Sequence, residues 1–487
     1  MKTRLMVTIA ILCSINAFAQ PDSLWSRMYG RMQDEDYCNA IWHTDDGGYM
    51  LAGRTWAYDE EVTDLLLVKT ASNGDSLWSR TYGRDEQEFC TSALRTTDNG
   101  VLLAGQTLSY GAGFWDYYVV RTNANGDTIW TRSYGGTGAD FCTDAIETSD
   151  GGFILAGRTE SFGVDGYDYW VVRLNTDGDS LWTRTYGGAG DQECESICQT
   201  SDGGFALLGA TSFAETDTSD FWLIRTDPQG DTLWTRSFGS SSGLWGTVIR
   251  QTADGGLILA GIIYSYSAHR KDVLIIKTDT NGDSLWSRTY GGWYDEHCND
   301  IQQTPDGGYL FAGWTYSYGN GNHTNPNAWL VRLDANGDSL WSLALGGNGR
   351  EECTSFLQEQ DGSYSLAGMR NESTENTLVG DFWLVKTGPD PVTDVSHYSV
   401  TLPNEISLSA YPNPFNSEMM LNVTGFTRDV RVTLHNLLGQ EVDVIHVGQV
   451  TGASLHYAAP ASLSSGLYFV RATDARNVKT VKVVYLK

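Results

Sequence analysis

An all-β chain, seven copies of a four-stranded unit ahead of a smaller β module, is predicted by three observations. Seven tryptophans (Trp25, Trp78, Trp130, Trp182, Trp234, Trp286 and Trp341) recur at spacings of 53, 52, 52, 52, 52 and 55 residues. A fixed period in that range means a stacked or circular array of one structural unit. Each tryptophan follows a tight-turn signal, and most precede a Tyr-Gly or Phe-Gly step. The period then stops at Thr387, where Gly388-Pro389-Asp390-Pro391 opens a different kind of sequence.

Taken in order, residues 1–19 read as a secretory signal. Lys2 and Arg4 precede an apolar run, and Ala17-Phe18-Ala19 suits cleavage before Gln20. The run is too short to span a bilayer. Residues 20–387 are the array. A clean copy runs Ser180 to Tyr186, Cys194 to Thr200, Phe205 to Thr211 and Asp220 to Thr226. Asp-Gly-Gly turns join the second and third strands at Asp46, Asp150, Asp202, Asp254 and Asp306. Asn-Gly-Asp or a relative joins the fourth strand to the next unit's first, at Asn73, Asn125, Asp177, Gln229, Asn281 and Asn336. Such turns supply the positive φ of tight hairpins.

Four antiparallel strands repeated seven times predict a seven-bladed β-propeller, whose radial blades leave only short edges. The chain begins with a Trp strand and its last unit ends at Asp381 to Thr387 with no Trp strand after it. The N-terminal strand is therefore expected to complete the last blade. The unit resembles the repeats of tryptophan-docked propellers such as the quinoprotein dehydrogenases, and the Asp-Gly-Gly repeats of exported bacterial surface proteins. That resemblance implies the fold and no chemistry.

Residues 388–401 read as a linker and 402–487 as a small immunoglobulin-like β-sandwich. Its motifs are Tyr411-Pro412-Asn413-Pro414-Phe415-Asn416, Leu437-Leu438-Gly439-Gln440-Glu441-Val442, Leu463 to Val470, and a basic end at Lys479, Lys482 and Lys487. These resemble the C-terminal sorting domain of type IX secretion cargo. The resemblance implies engagement of that machinery through residues 402–487, with delivery to the medium or the outer-membrane-associated cell surface of a Gram-negative-type bacterium.

The chain carries a net charge of −28, concentrated at −29 in residues 20–387. A surface of that sign repels phosphate backbones and argues against nucleic-acid partners. Six of the eight cysteines share one position of the repeat, Cys38, Cys90, Cys142, Cys194, Cys298 and Cys353. Equivalent positions in different blades should not reach bonding distance, so they read as small core residues. No His-Glu-x-x-His, phosphate loop or dinucleotide motif occurs. Gly239-Ser240-Ser241-Ser242-Gly243 lacks the strand-to-helix context of a nucleophile elbow. Asp279 to Asp283 and Asp334 to Asp338 place their glycine too early for a calcium loop. No catalytic residue is assigned and no cofactor is expected, Ca²⁺ held between carboxylates being the one candidate.

The tight turns must share one face of a propeller and the longer loops the other. On the longer-loop face two features recur. Acids gather just before the Cys position, among them Asp36, Glu88, Asp140, Glu193, Glu296 and Glu351. An aromatic follows the Ala-Gly or Leu-Gly step, at Tyr58, Tyr110, Phe162, Phe213, Tyr266 and Tyr318. Together they predict a polar, aromatic surface that engages an extracellular glycan, polymer or protein, unless the acids are merely solvated and the aromatics wedge between blades. The chain thus reads as a secreted binding or scaffold module without catalysis. A polysaccharide hydrolase or lyase and a purely structural surface protein are the alternatives.

Overall fold

The computed structural model describes residues 23–389 apart from 31–34, 58–61, 165, 214–215, 240–242, 266–269, 320–323, 348 and 372–379. It also describes residues 407–487 apart from 412–416, 425–429, 437–439, 449–453, 461 and 474–477. The signal at residues 1–19 lies outside these. The chain divides into two compact units, residues 1–392 and 393–487.

The first unit is built from four-stranded antiparallel sheets. One runs Asp140–Glu147, Phe153–Thr159, Asp168–Leu174 and Ser180–Tyr186, hydrogen-bonded in that order. Its turn glycines Gly151 and Gly178 have φ of 83° and 81°, the left-handed region a side chain resists. The Asn-Gly-type turn lies inside the sheet, pairing Arg173 with Trp182, so each Trp strand is the outermost of four. Among the described residues seven such sheets occur in this unit. Their leading strands are Glu35–His43, Glu88–Arg95, Asp140–Glu147, Gln192–Gln199, Gly243–Gln251, Glu296–Gln303 and Arg350–Gln358. In the last sheet the outermost strand is Ser23–Tyr29, paired antiparallel with Asp381–Thr387.

In five of the seven sheets a Trp-x-Arg-x-Tyr motif clamps the sheet to the next; Phe238 replaces the tyrosine in one copy, and Leu343 and Leu345 replace the arginine and tyrosine in another. Trp182 lies over Gly230, where an added Cβ would stand 2.9 Å from its ring. Tyr186 Oη donates to the Gly230 carbonyl at 2.6 Å, and Arg184 pairs with Asp231 at 3.3 Å. The same clamp joins the last sheet to the first, with Tyr29 Oη donating to the Gly74 carbonyl at 2.6 Å. Apolar residues fill the seams behind it, for example Leu102, Tyr117 and Val119 against Cys142, Leu155 and Trp170. The seven described cysteines are buried free thiols.

Every leading strand carries a β-bulge just after the Cys position. Cys142 opposes Gly157 and Asp144 opposes Ala156, which leaves Thr143 as the extra residue. Gly157 is obligatory there, because a Cβ would stand 2.0 Å from the Phe141 carbonyl oxygen. The bulged hydroxyl stitches sheets together: Thr143 Oγ1 donates to the Cys194 carbonyl at 2.7 Å, and Thr354 Oγ1 to that of Cys38 at 2.7 Å.

The second unit holds two antiparallel sheets around one core. Ser407–Tyr411, Glu418–Thr424 and Ser454–Ala458 form one; Glu441–Gly448, Val430–His435, Gly466–Thr473 and Val478–Tyr485 form the other. Met419, Leu421, Val432, Leu434, Val470 and Val483 meet between them. Residues 412–416 and 437–439 of its motifs lie outside the described residues. Among the described residues no helix is long and apolar enough to cross a membrane.

Candidate functional site: a cavity lined by the leading strands

A cavity of about 810 Å³ is lined by residues from all seven leading strands. Counting from the Cys position gives its layers. The residue before it is Tyr37, Phe89, Phe141, Glu193, Trp245, His297 or Glu352; of this layer, the mouth, Tyr37, Trp245 and His297 line the cavity itself. The bulged residue after it is Asn39, Thr91, Thr143, Glu195, Thr247, Asn299 or Thr354. One step deeper stand Ala40, Ser92, Asp144, Ser196, Val248, Asp300 and Ser355.

Aromatic rings run as an arc around the mouth. Phe89 and Trp115 have centroids 5.4 Å apart, Trp115 and Phe141 6.2 Å, Phe141 and Tyr167 6.1 Å. Arg54 lies 5.1 Å from the Tyr37 ring and 4.9 Å from Phe89; Arg158 lies 4.8 Å from Phe141 and 5.0 Å from Tyr167. These are cation–π distances. Further round, His297 stacks on Trp314 at 5.3 Å. Tyr37 Oη donates to Glu352 at 2.8 Å, and Arg350 holds the same carboxylate at 2.6 Å.

Inside, Asp144, Glu195, Arg250 and Asp300 bring ionisable groups from four consecutive leading strands, and Arg95 and Glu147 add two more. The Asp144 carboxylate accepts from Ser92 Oγ, Ser196 Oγ and the Ile197 N–H, each at 3.0 Å. Arg250 pairs with Asp300 at 3.1 Å. Trp245 Nε1 donates to Glu195 at 3.3 Å. Burial pushes the Glu195 carboxyl up to about 8, with Glu193 adding to the rise and Arg158 opposing it. It therefore keeps its proton at neutral pH. Burial pulls His297 down to about 4, so its imidazole is neutral. The site thus offers flat apolar rings, neutral donors and acceptors, and a carboxylic acid with a proton to give.

The predicted acids stand elsewhere. Asp36, Glu88, Asp140, Glu296 and Glu351 are all 0 or 1% exposed, in the seams and not on the surface. The reason is strand pleat: the residue two before Cys points the same way as Cys, into the seam, while the residue one before it points into the mouth. Only Glu193 of the six reaches the mouth, ion-paired with Arg158. The buried acids tie loops down. Glu88 accepts from Thr107 Oγ1 at 2.7 Å and the Arg84 N–H at 2.9 Å; Asp140 accepts from Ser161 Oγ at 2.7 Å and the Gly136 N–H at 2.8 Å.

Several of these acids also face a second acid from the preceding sheet. Above Gly135 an added Cβ would meet Asp116 Oδ1 at 1.8 Å and Asp140 Oδ2 at 2.7 Å; above Gly291 it would meet Asp272 Oδ1 at 2.1 Å and Glu296 Oε2 at 2.7 Å. Asp116 Oδ1 and Asp272 Oδ1 are buried and receive no hydrogen bond. Two carboxylates so close cannot both ionise cheaply, so a shared proton is the balanced state. Burial raises Asp116, with Asp140 adding; burial raises Asp272 against Arg270; burial pushes Glu296 up to about 7.

The predicted aromatics fold back onto their own sheets. Tyr110 stacks on Tyr118 at 5.1 Å and Tyr318 on Trp329 at 5.5 Å, while Phe162 packs at a 40° tilt against Trp170 at 5.1 Å. A threonine at the strand end causes this: Thr107 Oγ1 accepts the Ser109 and Tyr110 N–H groups, and Thr159 Oγ1 those of Ser161 and Phe162. The turn so formed lays the ring over the strand. Tyr110 and Tyr318 pack against seam cores, while Phe162 is 42% exposed. None of the three lines the cavity. Tyr58 and Tyr266 lie outside the described residues, as does the side chain of Phe213.

Arg54, Asp144, Glu195, Trp245, Arg250, His297 and Asp300 escaped the sequence reading. Aligning the seven copies on Cys exposes Asp144, Glu195, Arg250, His297 and Asp300, each of which departs from the commonest residue of its column, whereas Arg54 shares its column with Arg158 and Trp245 is one of four aromatics in its own. Among the described residues no group of three or more His, Cys, Asp or Glu side chains is arranged to hold a metal.

Residues 409–486 match the family described as the secretion system C-terminal sorting domain. A stretch of 188 residues is 27% identical to a regulatory protein, FlaEY, of Caulobacter vibrioides, covering 31% of this chain and only 20% of that relative. Among solved structures, a fungal alcohol oxidase of the AA5 family, in complex with copper, is 12% identical with a TM-score of 0.46, over 95% of this chain and 99% of that one. The acylaminoacyl peptidase of Pyrococcus horikoshii is 9% identical with a TM-score of 0.43, over 80% and 58%. A DUF4623 family protein from Bacteroides eggerthii is 9% identical with a TM-score of 0.34, over 71% and 90%. The C-terminal unit therefore carries a secretion sorting domain, and the protein is cargo of the type IX pathway, bound for the cell surface or the extracellular space.

Proposed function

We propose that residues 20–387 form a closed seven-bladed propeller that binds the end of an extracellular glycan at the cavity mouth, without catalysis, as a module held at the outer membrane surface. Closure is supported by the Tyr29–Gly74 clamp and by a cavity lined from seven leading strands. The arc of Phe89, Trp115, Phe141 and Tyr167, interleaved with Arg54 and Arg158, carries the binding reading. Sugar rings present apolar C–H faces that pack on aromatic rings, and hydroxyl edges that hydrogen-bond to guanidinium and carboxylate groups. The test is a glycan array with the secreted protein, repeated with Trp115→Ala and Trp245→Ala. Binding that both variants weaken at least about tenfold, with melting temperatures near wild type, supports the reading. An array with no hits, or hits both variants retain, removes it.

A hydrolase reading rests on Glu195, a carboxylic acid protonated at neutral pH inside the cavity. It predicts shortened products when bound glycans are incubated with the protein, and no products with Glu195→Gln.

A further inference from the structure

Arg54 and Arg158 hold the same place in two sheets, each paired across the strand with the residue before Cys, Tyr37 and Phe141 respectively. Each guanidinium lies about equally close to two rings: at 5.1 and 4.9 Å for Arg54, whose rings come from adjacent sheets, and at 4.8 and 5.0 Å for Arg158, whose rings Phe141 and Tyr167 belong to, or directly precede, strands of its own sheet. They differ in charge partner. Arg158 is ion-paired with Glu193, the residue before Cys in the next leading strand. At the corresponding place beside Arg54 stands Phe89. Among the described residues Arg54 has no carboxylate partner, whereas Arg158 is neutralised by Glu193, Arg250 by Asp300, Arg350 by Glu352 and Arg95 by Asp45.

A guanidinium fixed between two rings has lost most of its rotamer freedom and keeps its donor fork for a planar anion, which makes it a preorganised carboxylate site. Next to it, Gln106 pairs across the strand with Phe89, and its Oε1 is buried without a hydrogen-bond donor. The Arg158–Glu193 pair displays, within the protein, the contact that Arg54 lacks.

We infer that Arg54 takes the carboxylate of a single uronic-acid residue at the end of the bound glycan, an inference that rests on the glycan-binding reading above. One acid suits the site and many do not. The net charge of −28 opposes a polyanion, whereas a lone carboxylate within a Debye length of about 8 Å of Arg54 feels chiefly the local guanidinium.

Calorimetry on the secreted protein tests this with three probes: xylotriose capped by glucuronic acid, neutral xylotetraose, and polygalacturonate. The acid-capped sugar is expected to bind about tenfold or more tighter than the neutral one, as a charge-assisted hydrogen bond supplies, and tighter per chain end than the polyanion. Arg54→Gln should erase that advantage, bringing the capped and neutral sugars to equal affinity, while Arg54→Lys should keep part of it. Circular dichroism melts establish that both variants fold. Equal affinity for capped and neutral sugars in the wild type overturns the inference and leaves glycan binding standing, as does an advantage that survives Arg54→Gln. Failure of every sugar to bind the wild type overturns both.

Discussion

Along the seams between sheets the repeat is copied nearly letter for letter, and along the cavity it is not. Trp182, Tyr186 and Gly230 make the same contacts as Trp130, Tyr134 and Gly178 one sheet earlier. The residue before Cys, by contrast, is aromatic in four copies, acidic in two and histidine in one. A seam tolerates little variation because each copy meets the same neighbour. The cavity wall is tied between sheets only by polar contacts such as those of Thr143, Thr354 and Asp144, which several residue types can make, so its columns vary more than those of a packed seam. Residues that hold the fold are found where the copies agree, and residues that face a ligand where they part.

Removing a seam outright is the strongest way to break this comparison. Deleting residues 20–30 takes away the strand paired with Asp381–Thr387 and the Tyr29 clamp. It should lower the melting temperature by about 10 °C or more and expose an edge that aggregates. A truncated protein that melts with the full one and scatters no more light would show the strand to be dispensable.

Next in size is a single atom group at the bulge. Gly157→Ala drives a Cβ to 2.0 Å from the Phe141 carbonyl and should cost about 3 kcal/mol. Gly188→Ala meets nothing within 4 Å and should stay within about 0.5 kcal/mol. Denaturant midpoints for the two variants check the contrast, and equal midpoints would dismiss the bulge argument.

The smallest effect sharpens the comparison by pH. Glu195 and Glu296 hold their protons to about 8 and about 7, as burial dictates, whereas an unfolded glutamate releases its proton near 4.3. The folded state therefore binds more protons between those values. Its stability is fullest at and below the unfolded value and falls as pH rises through 7 to 8. Thermal melts from pH 6 to 9 should decline, and Glu296→Gln should flatten the slope. A melting temperature that climbs over that range would contradict the shared-proton pairs.

Strand phase was legible because Asp-Gly-Gly and Asn-Gly-Asp mark hairpins by backbone geometry alone. The direction of the acids was not. Asp140 and Phe141 are neighbours in sequence, yet one enters a seam and the other the mouth, and the bulge at Thr143 then shifts the pleat by one residue. Grouping acids by proximity to Cys mixed two faces of one strand. The aromatics misled for a different reason: the turn that Thr107 or Thr159 imposes decides where Tyr110 or Phe162 lies, and although this threonine recurs at Thr55, Thr107, Thr159, Thr211 and Thr315, the N–H groups its hydroxyl accepts are not written in the sequence. Glu195 is a lone exception in a column of Thr and Asn, and an exception carries no period at all.

The pairing of Ser23–Tyr29 with Asp381–Thr387 sets a timetable for synthesis. Six sheets are each contiguous in the chain and can form in turn as the ribosome releases them. The seventh must wait, its outermost strand made first and its other three last, over a sequence separation that slows folding. The sorting unit follows those three strands. By the time this unit is translated, every strand of the first unit has been made.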